Sequence, residues 1–515
     1  MSKIHGIEDT EPQMFGHPKG LTVLFFAEMW ERFCYYGMRG LLVLYLTKAL
    51  FQGDAQAFAI YGAFTALVYM APVLGGRIAD NILGYRIAIL LGALLMAIGE
   101  FMILGANETW LYVGMAAIIV GNGYFKANIS TLVGKLYKAN DPRRDSGFTI
   151  FYIGINIGAL LATLVCVWVG ERFGFKYGFG LAGIGMLLGF FIFLAGGKFY
   201  KHLSHPPYPE KLHKKVFGPF TQLHTTVFLS ILLIPVLYFL IVYNNVELFG
   251  MNVNILGGLL ILTAGYMIYT LIKESAKGEK ILRDRMIVFI VLCFFNIVFW
   301  ALFEQAGSSL TLFADRNVDR SVFGLFEMTA GQTQFFNPLF IILMGSLFSV
   351  LWVKLDKRNM NPNIPAKFGI GIILLGVGYL LTMFGKGLHN EAFLIPLWIL
   401  VGLYFFHTVG ELFISPIGLS MVTKLAPPKI SGTLMGAWFL SFSASSFVAA
   451  QLAKLTGGKG SESGLAGAEV TPEIAQASLM TYIDIYTMFG LIAIGVGLLV
   501  LLLSPKLNKL MHGIK

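Results

Sequence analysis

Four charged side chains stand inside one apolar stretch of this 515-residue chain, in Glu28-Met-Trp-Glu31-Arg32-Phe33-Cys34-Tyr35-Tyr36-Gly37-Met38-Arg39. On a helix of about 3.6 residues per turn, Glu28, Arg32, Tyr35 and Arg39 recur at spacings of four, three and four and share one face. The spacing alone also fits a plain i,i+4 ion pair near a helix end, which contributes a few tenths of a kcal/mol. Apolar runs at 21–27 and 41–46 flank the charges and place them at depth. A charge at mid-membrane costs roughly 2.5–3.5 kcal/mol on insertion scales, so such residues turn toward a watery cavity and pair with one another. Their chemistry is the exchange of protons and partners. Burial favours the neutral acid and a nearby Arg or Lys favours the carboxylate, so opening a pair changes proton affinity.

Similar signals recur downstream. Gly121-Asn122-Gly123-Tyr124-Phe125-Lys126-Ala127-Asn128 puts Lys126 midway along an apolar run, about ten residues from either end and too deep to snorkel. In Phe151-Tyr152-Ile153-Gly154-Ile155-Asn156-Ile157-Gly158, the Gly154/Gly158 pair permits close helix packing, and Asn156 carries an amide that needs a partner. Glu304 follows Trp300 in another apolar helix, and Pro338, after Asn337, is expected to free a carbonyl and kink its helix. His407 and Glu411 lie at i,i+4 ahead of Ser415-Pro416, and Trp438 falls in a later span. His407 reads either as a packing residue or as a weaker proton carrier.

Many apolar elements are needed to hold these groups. With 56% hydrophobic and 13% charged residues and a mean hydropathy of +0.73, the chain reads as an all-α polytopic membrane protein. Spans are expected near 20–51, 55–79, 84–105, 109–137, 147–170 and 176–198, then 221–243 and 254–272, then 285–313, 328–354, 367–385, 392–423, 431–455 and 478–503. That makes fourteen transmembrane helices, in two six-helix bundles plus two extra helices. The division is a tail at 1–19, a bundle at 20–198, a linker with the inserted helices at 199–282, a bundle at 283–503 and a tail at 504–515. An amino-terminal-inside orientation puts 27 of the Lys and Arg residues on the cytoplasmic side and eight outside, which supports cytoplasmic termini. The polar opening lacks the pattern of a cleaved signal peptide. The Gly- and Ser-rich loop at 457–473 is expected to be mobile.

Composition and motifs also exclude. The net charge of +10 reflects cytoplasmic loops rather than nucleic-acid binding. Cys34, Cys166 and Cys293 have no metal-ligand spacing, so neither a metal site nor a disulfide framework is indicated. No HExxH, GxSxG or phosphate loop marks an enzyme.

The loop Gly75-Gly76-Arg77-Ile78-Ala79-Asp80-Asn81-Ile82-Leu83-Gly84-Tyr85-Arg86 resembles the signature of the major facilitator superfamily, in which Asp80 and its arginines latch the halves. With Glu28-x-x-Glu31-Arg32-Phe33-x-Tyr35-Tyr36, Phe151-Tyr152-x-x-x-Asn156-x-Gly158 and Glu411 before Ser415-Pro416, the chain resembles the proton-dependent oligopeptide transporter family from its first span to its eleventh. The two inserted helices resemble its bacterial branch. The resemblance implies proton-coupled symport of di- and tripeptides by alternating access across a bacterial inner membrane, with no cofactor, no catalytic or metal residue, and no required oligomer. Arg32 and Lys126 would meet the peptide carboxylate, and Glu411 with Asn337 its amino end. Tyr35, Tyr36, Tyr69, Asn156, Trp300 and Trp438 would line the pockets. Glu28, Glu31, Arg32 and Glu304 would couple protons. Arg39 with Glu304 would form an outer gate, and Lys126 with Glu411 an inner contact. Animal members carry a histidine on the second span, which 57–76 lacks, leaving the carboxylates as proton carriers. The competing readings are a symporter of nitrate or another small organic anion, and a peptide-binding receptor without transport.

Overall fold

In a bilayer every backbone N–H and C=O must find a partner within the protein, and a helix supplies these along its own length. The computed structural model describes residues 13–138, 141, 143–243, 245–248, 251–276, 280–425, 431–457 and 471–514. The mobile loop expected at 457–473 and the tail at 1–19 lie largely outside them.

Among the described residues are fourteen helices of 17 or more residues. They are α1 Lys19–Leu44, α2 Asp54–Ile78, α3 Gly84–Ile103, α4 Glu108–Lys135, α5 Arg144–Leu161, α6 Phe175–Ala195, α7 Gln222–Val242, α8 Ile255–Ala276, α9 Lys280–Phe303, α10 Phe336–Lys357, α11 Ile364–Leu380, α12 Leu397–Leu425, α13 Ser431–Lys454 and α14 Pro472–Leu510. Ten segments among the described residues are long and apolar enough to cross a membrane, and α1, α4 and α13 are in none of them. Those three helices carry polar groups along their length: the charges of α1, Asn122, Lys126 and Asn128 on α4, and four serines at 441–446 on α13.

Caps explain several starts. The Asn107 side chain accepts from Trp110 N ahead of α4, and Asn363 and Thr471 do the same ahead of α11 and α14, each followed by an early proline.

The chain forms two compact units whose boundaries fall inside helices. The first comprises Met1–Met38, Ala71–Cys166 and Lys176–Tyr238. Its helices meet through glycines, because lipid offers no hydrophobic drive and small residues let backbones approach for dispersion and polar contacts. A Cβ on Gly75 of α2 would lie 2.0 Å from Gly123 O of α4, and one on Gly92 of α3 would lie 2.5 Å from Gly121 O. Gly84, at φ +71°, ends a π-helical turn over Ala79–Leu83, where a Cβ would strike the backbone at 205–206.

The second unit comprises Arg39–Met70, Val167–Phe175 and Phe239–Lys515. Gly369 and Gly376 of α11 face Gly497 and Gly490 of α14, Gly371 faces Gly410 of α12, and Gly62 of α2 is fitted against Ala450 of α13.

Two local expectations change. The α-helix carrying Trp300 stops at Phe303, and Glu304–Gly307 tightens into a 3-10 turn before a short helix Ser309–Asn317. Glu304 therefore begins a turn rather than sitting mid-helix. Pro338 does not kink a helix either: a 3-10 turn over Gly331–Phe335 precedes it, and α10 starts at Phe336. In the first turn of a helix the missing N–H has no partner to lose.

Candidate functional site

Every polar group in the α1 cluster is buried, with Glu28, Glu31 and Arg32 at 2%, 0% and 3% exposure. The Arg32 guanidinium grips Glu31 with two nitrogens: Nη2 donates to Oε1 at 2.6 Å and Nε donates to Oε2. Glu28 Oε1 lies 3.2 Å from the same Nε. The planar fork of arginine suits this bidentate hold, and the arrangement matters because a buried charge is tolerated only when paired. Asn122 of α4 donates from Nδ2 to Glu31 Oε1 at 3.0 Å. The Tyr35 ring lies 5.3 Å from the guanidinium carbon and meets Tyr36 edge-on. Lys126 is close enough for its charge to act on Glu28. Glu28 Oε2 and Asn122 Oδ1 are buried without a hydrogen-bond partner among the described residues.

Helix α5 backs this cluster. A Cβ on Gly158 would lie 2.2 Å from Met29 O and 2.9 Å from the Arg32 Cβ, and Gly154 is fitted against Phe25. The FYxxxNxG stretch therefore brings α5 onto the turn that carries Arg32. The Asn156 amide donates back to Tyr152 O at 2.9 Å. In the loop at 75–86, Asp80 accepts from the Tyr85 hydroxyl at 2.7 Å.

Arg39 shares the helical face but not the company, because it falls in the second unit. Its Nη2 donates to Glu304 Oε2 at 2.5 Å and its Nε to the Tyr61 hydroxyl at 2.6 Å. Arg39 and Glu304 are 7% and 4% exposed. Gly307 makes room for them, since a Cβ there would lie 2.0 Å from the Tyr61 oxygen. In the same unit Arg316 grips Asp54 with two hydrogen bonds of 2.6 and 2.8 Å, and Lys48 meets Asp315 at 2.6 Å. Sequence reasoning missed Tyr61, Gly307 and the Asp54–Arg316 pair.

Glu411, on α12, accepts from Asn337 Nδ2 at 2.9 Å, and the same amide nitrogen donates to Thr408 at 3.1 Å. His407, 1% exposed, stands edge-on to Tyr379 with ring centroids 4.6 Å apart. Tyr69, Trp300 and Trp438 gather around Phe442, with ring centroids 5.8, 5.3 and 5.9 Å from it. No sequence signal marked Phe442. The indole nitrogens of Trp300 and Trp438 are buried donors without a partner among the described residues. The expected site residues thus fall into an Arg32 group in the first unit, and Arg39–Glu304, Asn337–Glu411 and an aromatic group in the second. Lys126 and Glu411 belong to different units. No group of three His, Cys, Asp or Glu able to hold a metal occurs among the described residues.

Comparison with known proteins covers nearly all of the chain. The PTR2 model, described as the POT family, matches residues 86–466. Dipeptide and tripeptide permease A of Edwardsiella piscicida is 33% identical over 98% of this chain and 98% of its own length. The di-/tripeptide transporter of Lactococcus lactis subsp. lactis is 34% identical over 99% of this chain and all of its own. A crystal structure of peptide transporter POT in complex with sulfate is 34% identical, with a TM-score of 0.80 and 98% of each chain covered. Matches of this length, in sequence and in fold, answer the question raised by the charges of α1: the chain belongs to the POT family.

Proposed function

We propose that this chain is a proton-coupled symporter of di- and tripeptides, working by alternating access in a bacterial inner membrane with both termini cytoplasmic. Membership of the POT family makes it a transporter rather than an enzyme. The permease names of its relatives support the peptide substrate. The 27-to-8 division of Lys and Arg supports the orientation.

One observation carries the mechanism: two buried carboxylates share one guanidinium, and one carboxylate oxygen is left without a partner. A peptide is a zwitterion whose carboxylate competes with Glu31 for the Arg32 fork. Once released, Glu31 has lost its counter-charge and takes a proton, since an unpaired buried carboxylate is far less stable than the neutral acid. Peptide and proton therefore load together. Lys126 reinforces the carboxylate end, and Glu411, oriented by Asn337, receives the ammonium end. Tyr35, Tyr36, Tyr69, Asn156, Trp300 and Trp438 hold the backbone and leave side chains loosely read, so many peptides are accepted. Glu304 holds Arg39 as a gate that opens when Glu304 is protonated. No cofactor takes part; the proton gradient drives uptake.

The test is uptake of radiolabelled dialanine into liposomes holding the purified protein, with an acidic exterior and an inside-negative potential. Accumulation that collapses with a protonophore is expected. Accumulation that ignores the protonophore, or none in a preparation that peptides still stabilise thermally, would overturn the symport reading.

A further inference from the structure

The link at 198–221, between α6 and α7, carries five lysines, Lys198, Lys201, Lys211, Lys214 and Lys215, against one acid, Glu210. All five are exposed, and among the described residues none is in an ion pair. The link is held to the first unit all the same. The Tyr200 ring stacks on Phe193 of α6 with centroids 4.5 Å apart and its hydroxyl donates to Phe193 O, Ser204 O accepts from Arg86 N at 3.3 Å, and Leu212 is buried. It ends in a hairpin of two antiparallel strands, Lys215–Phe217 and Phe220–Thr221, which sets Phe217 opposite Phe220 across a Gly218-Pro219 turn, with Gly218 at φ +53°. Gln222 N donates to Lys214 O at 3.0 Å and closes the hairpin onto the first residue of α7. Val216, Phe217 and Phe220 are 60%, 78% and 50% exposed.

A two-stranded hairpin is marginal in water, and nothing in this one covers its apolar side chains. The membrane lies next to it. Helix α7 starts one residue after the second strand and turns Phe228, Leu229, Ile231 and Leu232 outward, as a span facing lipid does. A strand rises about 3.3 Å per residue, so the tip is within about 10 Å of the start of α7. The headgroup layer on each side of the hydrocarbon core is about 5–7 Å thick, so the tip stands at its depth. We propose that this hairpin anchors the chain to anionic phospholipid, with Val216, Phe217 and Phe220 entering the bilayer surface where α7 begins, and Lys211, Lys214 and Lys215 meeting lipid phosphates. Apolar area and charge attraction add in such binding, and the exposed, unpaired lysines beside the tip are the complement of a phosphate layer. That the leaflet is the cytoplasmic one rests on the orientation proposed above.

The test is a nitroxide on Phe217→Cys in the full-length protein in liposomes, read by electron paramagnetic resonance. Molecular oxygen concentrates in the bilayer and a nickel chelate stays in water, so their relative access to the label reports where the tip lies. Cys34 and Cys166 are buried, and the parent protein taken through the same labelling supplies the blank. In vesicles of phosphatidylcholine with phosphatidylglycerol, oxygen is expected to reach the label better than nickel. Each lysine near an anionic surface is worth about fivefold in partition, so Lys211→Gln, Lys214→Gln and Lys215→Gln together are expected to shift the balance toward nickel by about a hundredfold in partition. Raising the salt, which shortens the screening length from about 10 Å at 0.1 M to about 3 Å at 1 M, is expected to shift it the same way with the lysines in place. Nickel-dominated access in the phosphatidylglycerol vesicles would overturn the proposal. So would a balance that is the same in phosphatidylcholine alone and indifferent to the three substitutions and to salt. The label reads lipid contact from either side of the membrane and without transport, so its result is independent of the dialanine assay.

Discussion

Replacing Glu304 by Gln changes one atom and one charge, and its effect can be worked from the Arg39 contacts. Arg39 is 7% exposed and donates hydrogen bonds to Glu304 at 2.5 Å and to Tyr61 at 2.6 Å. Removing one member of a buried ion pair costs about 3–5 kcal/mol, because a charge is stranded. The Gln amide oxygen still accepts one hydrogen bond, a net contribution of about 1 kcal/mol, and Tyr61 keeps its own. The paired arrangement of Arg39 is then weakened by about 2–4 kcal/mol, which lowers its population relative to the unpaired one by roughly one and a half to three decades. If protonation of Glu304 is the event that frees Arg39, Gln imitates the protonated state permanently. Gradient-driven dialanine uptake should fall at least tenfold, while exchange of internal for external peptide, which needs no proton cycle, should persist. The two assays on one preparation of proteoliposomes make the comparison. Driven uptake at the parent rate in Glu304→Gln would refute the reasoning.

Three further outcomes are expected. Gly158→Ala puts a Cβ 2.2 Å from Met29 O, a backbone atom that cannot swing aside, so overpacking should lower stability by about 1–3 kcal/mol; Gly495→Ala, with nothing within 4 Å, should not, and equal melting temperatures for the two would contradict the α1–α5 fit. A double-mutant cycle with Asp54→Asn and Arg316→Gln should return a coupling of about 1–3 kcal/mol for a pair joined by two hydrogen bonds, where additive effects would mean the pair contributes nothing. In the α4–α5 loop the Arg143 side chain hydrogen-bonds Asp141 and holds its carboxyl down at about 2. A lowered folded-state value means that this contribution is present above the ordinary carboxylate range near pH 4 and fades as pH falls toward 2. The stability difference between the parent protein and Asp141→Asn should therefore be constant above about pH 5 and shrink below it; a difference that grows on acidification would reverse the assignment.

The helices were legible because long apolar runs admit little else in a bilayer, and most of their limits follow the predicted spans to within several residues, although α5 and α9 end at Leu161 and Phe303, well short of 170 and 313, and α10 starts at Phe336 rather than near 328. Glu28 with Arg32 was also legible, as an i,i+4 pair. The hold of Arg32 on Glu31 was not, because neighbours in sequence point apart on a helix and only long side chains curling back on themselves can meet. The break after Phe303 was hidden because nothing local stops the helix there, and Glu304 takes its place through Arg39, Tyr61 and the room left by Gly307. Phe442 stayed silent for a similar reason, since one phenylalanine in an apolar helix looks like any other until Tyr69, Trp300 and Trp438 are seen around it. Glu100 is the instructive omission. It carries the same signal that drew attention to Glu28 and Glu304, a carboxylate in an apolar run, but its partner is a cysteine 66 residues away on another helix.

The central claim is that peptide and proton enter together, and proton movement tests it most directly. With a pH-sensitive dye trapped in proteoliposomes and no imposed proton gradient or potential, an inward gradient of dialanine should acidify the lumen, and a protonophore should dissipate the change. Peptide entry at the same rate with no acidification would contradict the account.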